Sequence, residues 1–201
     1  MHGLICSPAL LGWTRLLDEW VVGLTAFNRV SVDSPTCWED PDKTRATLVS
    51  AVRRVTSFAL TEADTDPVAI DSTGCFHFEL QGQLYRVATA QLSPATGDDL
   101  ARRVAKALDA AADAAGATAD EGVLVVGALF VTPALEPSLG AEERARHVAE
   151  ILDETRGAGS SGCAFSFPRS DEMLRYHYVN DAHPGAILTV KATTGASPIS
   201  T

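Results

Sequence analysis

Basic character is what this chain has least of. Three lysines accompany thirteen arginines, no cationic run exceeds a dipeptide, and 26 acidic against 16 basic residues leave a formal net charge of −10. Such a surface repels phosphate backbones, which argues against a nucleic-acid partner. Cysteine is sparse and scattered: Cys6, Cys37, Cys75 and Cys163 show no CxxC, no zinc-knuckle spacing and no compact disulfide pattern. They read as reduced thiols of a cytoplasmic protein. Long hydrophobic runs are missing too. The opening MHGLICSPALLGW has no cationic leader, and Arg15, Asp18 and Glu19 interrupt it, so neither a targeting signal nor a membrane span is expected. No Walker loop, GxGxxG, HExxH, GxSxG elbow or EF-hand pattern occurs.

What is present is a chain of 201 residues with 46% apolar content, enough for one well-buried domain. Ser7-Pro8 suggests an N-cap and first helical residue, and Leu10, Trp13, Leu17, Val21 and Leu24 recur at helical spacing to about Asn28. Leu11, Leu16, Trp20 and Phe27 widen that apolar surface, which suggests more than one neighbour or a dimer contact. Asp40-Pro41 opens a second helix with Leu48, Val52, Val55 and Ala59 inward, ending near Leu60. The acidic stretch from Thr61 to Pro67 reads as a linker.

A strand over Val68 to Asp71 is then expected, followed by a hairpin, Cys75 to Leu80 and Gln83 to Gln91, around the two-residue turn Gln81-Gly82. Alternation sends Phe76, Phe78, Tyr85 and Val87 into the core and leaves Cys75, His77, Glu79 and Arg86 on the opposite face, with His77 across from Arg86. Asp98 to Ala115 is an alanine-rich helix stopped at Gly116, and Gly122 to Val131 is apolar at every position, as a strand covered on both faces requires. A strand, a helix and a further strand in that order predict a crossover with parallel pairing.

A last helix, Ala141 to Arg156, carries Ala145, Val148 and Leu152 inward; Gly157 to Gly162 reads as a flexible connection. Phosphate cradles precede helices, whereas this glycine-rich stretch follows one. Three short strands close the chain at Cys163 to Phe167, Met173 to Val179 and Ala186 to Lys191, the first two pairing across Pro168 to Asp171.

The chemistry-bearing candidates are few. Asp181 and His183 lie two apart in a tight turn, where a carboxylate fixes an imidazole tautomer and raises its basicity. Asn, Asp, Pro and Gly are equally what a hairpin turn needs sterically. His177, like His77, is framed by aromatics, a pattern that strand alternation alone produces. Tyr178 and Arg175 could hold a substrate beside His177, and Trp38 offers a flat wall beside Cys37, whose acidic neighbours disfavour a thiolate. Cys75, His77 and Glu79 share a face but lack the further ligands that a metal needs, so no metal site is expected.

These features predict a single α+β (mixed α/β) domain: one mixed sheet of about six or seven strands with antiparallel hairpins, two crossover helices and an N-terminal helical pair. Residues 1–60 would pack on a body over 67–192, leaving 193–201 as a flexible tail. The function expected first is a small cytoplasmic enzyme acting on an organic metabolite. His183 or His177 would serve as general acid/base, Asp181 would orient it, and Tyr178, Arg175, His77 and Trp38 would bind substrate. The alternative is a non-catalytic ligand-binding or interaction module, homodimeric through the N-terminal helix. The sequence names no cofactor.

Overall fold

The hairpin predicted by alternation organises one half of a seven-stranded sheet in the computed structural model, which describes residues 2–30, 40–56, 68–94, 99–136, 138–167 and 185–193. Strands β3 (Phe76–Leu80) and β4 (Gln83–Leu92) join through Gln81 and Gly82. Both turn residues take positive φ, 55° and 78°, the backbone twist that a two-residue hairpin favours. The register sets His77 opposite Arg86 and Phe78 opposite Tyr85. Phe76, Phe78, Tyr85 and Val87 are buried on one face, and the Phe78 and Tyr85 rings stack with centroids 5.2 Å apart.

The sheet runs β1-β6-β7-β5-β4-β3-β2, with β1 at His2–Cys6, β2 at Ala69–Ile70, β5 at Leu124–Val131, β6 at Gly162–Ser166 and β7 at Ala186–Thr193. Among the described residues only β4 and β5 pair in parallel, and helix α3 (Leu100–Gly116) joins them. The uniformly apolar β5 lies at the centre, as its composition requires. Helices α1 (Thr14–Val30) and α2 (Pro41–Thr56) cover one face of the sheet; α3 and α4 (Ala141–Gly157) cover the other. The fold is therefore α+β, a mixed sheet between two helical layers. Among the described residues no helix is long and apolar enough to cross a membrane.

Most of the apolar surface of the first helix is covered within the chain, while Leu11 and Val22 stay exposed. Trp13, Trp20 and Leu24 are 0%, 1% and 2% exposed, packed with α2 against the aromatic face of the sheet. Trp20 donates its indole N–H to Thr47 Oγ1 at 2.9 Å. Burying side chains of this size stabilises by about 1.5–3 kcal/mol each, and here the chain's own sheet collects that energy. The Trp13, Trp20 and Leu24 side chains of the surface on which a dimer contact was expected are thus taken up by the chain's own sheet. Periodicity shows how wide an apolar face is, but not what covers it.

On the opposite face, α3 lies unusually close to β5. A Cβ at Gly127 would fall 2.5 Å from Ala112 N and 2.7 Å from Leu108 O, so glycine on the strand and alanine on the helix let the two backbones approach.

Several local expectations are corrected. His2–Cys6 forms an edge strand that sequence reading missed. Its Gly3 sits opposite Phe165, whose ring covers it, so pairing to a strand far along the chain replaces local alternation. The first helix opens as a 3₁₀ turn over Pro8–Trp13, broken at Leu10 (φ −123°, ψ 27°), before α1 begins at Thr14. Helix α3 ends at Gly116, as expected, but with Ala117 still right-handed at φ −56°; Gly122, at φ 85°, makes the turn into β5. On α4, Ala145 is exposed, and Ile151 and Thr155 point inward with Val148 and Leu152. All five residues of β6 pair with β1 on one side and β7 on the other, which leaves no edge for the expected pairing across Pro168 to Asp171. The linker, the stretch from Met173 to Val179 and the tail from Thr194 lie outside the described residues.

Candidate functional site

Two polar regions stand out, and the first grows from the turn between β2 and β3. Asp71 ends the two-residue strand and folds its carboxylate back over the turn. Its Oδ1 accepts from Thr73 N at 2.8 Å, Thr73 Oγ1 at 2.5 Å and Cys75 N at 3.1 Å. Gly74, at φ 80°, lets the chain reverse. Oδ2 faces the hairpin and accepts from Arg86 Nη2 at 2.8 Å, with His77 Nε2 at 3.2 Å.

Arg86 is only 1% exposed. Its Nη1 donates to the carbonyl of Ala115 in the last turn of α3 at 2.8 Å, and Nη2 also reaches Thr73 Oγ1 at 3.3 Å. One guanidinium therefore ties a strand to a turn and to a helix C-terminus, whose carbonyls want a cationic donor. The Arg86 Nε is buried without a partner. The Thr73 hydroxyl, followed by Arg86, holds the Asp71 carboxyl well below the usual carboxylate range; burial opposes them and His77 adds to them. An ionised carboxylate only accepts, so His77 Nε2 carries the hydrogen of this contact.

On the face shared by Cys75, His77, Glu79 and Arg86, α3 covers Cys75 and Arg86, whereas Glu79 is exposed. His77, about one-third exposed, is open to solvent along with Asp71. Asp71 itself was not singled out from the sequence. Its signal was an Asp followed two residues on by Thr and then by Gly, the pattern of a side-chain-capped turn.

The second region is an open cleft of about 590 Å³ where β1 and β6 meet the C-terminal end of α4. Ile5, Cys6 and Ser7 form one wall, Asp153 and Arg156 the other, and residues 160–163 the floor. The glycine-rich connection is anchored here: Ser161 N donates to Val190 O at 2.7 Å, Ser161 O accepts from Ser7 N at 2.8 Å, and Ser161 Oγ accepts from Ala192 N at 3.1 Å. The Ser7 hydroxyl, expected as a helix cap, makes no capping bond and is buried without a partner. Burial pushes the Cys163 thiol up to about 12, opposed by the nearby Arg156 charge. Burial also raises Cys6, whose thiol donates to Leu10 O at 2.9 Å.

Of the residues expected to form a site, the structure describes only His77 and places it beside Asp71 and Arg86. His183, His177, Asp181, Tyr178, Arg175 and Trp38 lie outside the described residues, as does Cys37. Among the described residues no three His, Cys, Asp or Glu side chains gather as a metal site. No protein-family model, curated protein or solved structure matches this chain, so the chemistry of these two regions stands on its own geometry.

Proposed function

We propose that this protein binds a small polar organic molecule in the cleft between β1, β6 and the end of α4. The observation that carries this reading is a space of about 590 Å³ lined by the polar side chains of Ser160, Ser161, Asp153 and Arg156. Ligand sites typically enclose roughly 300–1,000 Å³ and place a few convergent polar groups in them. The described cysteines, Cys6, Cys75 and Cys163, are all free thiols, which suits a reducing, cytoplasmic setting. A screen of organic metabolites against the ¹⁵N-labelled full chain tests the reading. Hits should move the amides of Ser7 and residues 160–163, and Ser160→Trp, which fills the cleft, should abolish them. Hits that move other amides, or that survive Ser160→Trp, defeat it.

A second reading is favoured by the contact of His77 with Asp71 at 3.2 Å. In it the protein is a small enzyme acting on a metabolite, with His77 as general acid/base through Nδ1 and Asp71 orienting the ring. His77→Gln separates the two readings. It would leave cleft binding intact while removing any turnover found with the same hits.

A further inference from the structure

We draw no further inference here: the strongest candidate, the outer edge of β1 with Ile5 exposed beside it, pairs with no strand among the described residues, and nothing in the structure shows what covers it.

Discussion

The Asp71 turn and the cleft beside Arg156 each pair an arginine with an aspartate, yet they are opposites. At the turn, the Asp71 carboxylate receives five donors and Arg86 is removed from solvent. In the cleft, Arg156 and Asp153 barely meet and both remain wet, and a serine hydroxyl nearby has no partner. A saturated polar group is committed to holding the fold, because anything added must first break a bond already made. An unsaturated one is free to act on something else. This contrast sets a polar group committed to the fold near β2 against one left open near β1.

Arg86→Met should break the first region most severely. It leaves the Ala115 carbonyl and the turn without their donor, and we expect a loss of about 2–3 kcal/mol in urea unfolding. An unchanged midpoint would remove Arg86 from the fold's supports. Asp71→Asn sharpens the same point through pH. A carboxyl held below its ordinary value of 3.8 stabilises the fold above that pH, and the contribution is lost as pH falls toward the depressed native value. The unfolding midpoints of wild type and Asp71→Asn should therefore differ at pH 7 and converge in acid. A constant gap would show that the charge plays no part.

Alkylation at pH 8, mapped by mass spectrometry, grades the cleft itself. Cys163, buried and raised to about 12, should resist; Cys6, half-buried and less perturbed, should react slowly but first of the two. The reverse order would mean that the floor opens to solvent. The smallest effect is expected from Arg156→Gln, whose stability should stay within about 0.5 kcal/mol of wild type. A larger loss would make Arg156 a structural partner, like Arg86.

Where adjacent residues carried the signal, the sequence was legible. The Phe76-His77-Phe78 alternation, the Gln81-Gly82 turn and the unbroken apolar run of β5 all fixed local structure, because pleat and turn sterics act over a few residues. The cross-strand placement of His77 opposite Arg86 followed from them. The strand β1 was not legible, since its partner β6 lies about 160 residues away and its Gly3 is explained only by the Phe165 ring. Asp71 was read as the end of a strand, because its value depends on an arginine 15 residues later and on a helix carbonyl beyond that. The cleft was invisible for the same reason: Ser7 and Arg156 belong to segments that read locally as a helix cap and a helix end.

By itself, the sequence determined the alternation that turns aromatic rings inward, the central position of β5, the helical segments and the acidic balance. Those properties arise from sterics and solvation along a short stretch of chain. Tertiary structure alone decided that the first helix covers its own sheet, that Arg86 is buried as a tie between three elements, and that Arg156 stays exposed. Each of these depends on which distant groups reach a side chain, and so on how completely its hydrogen bonds are satisfied once the layers close.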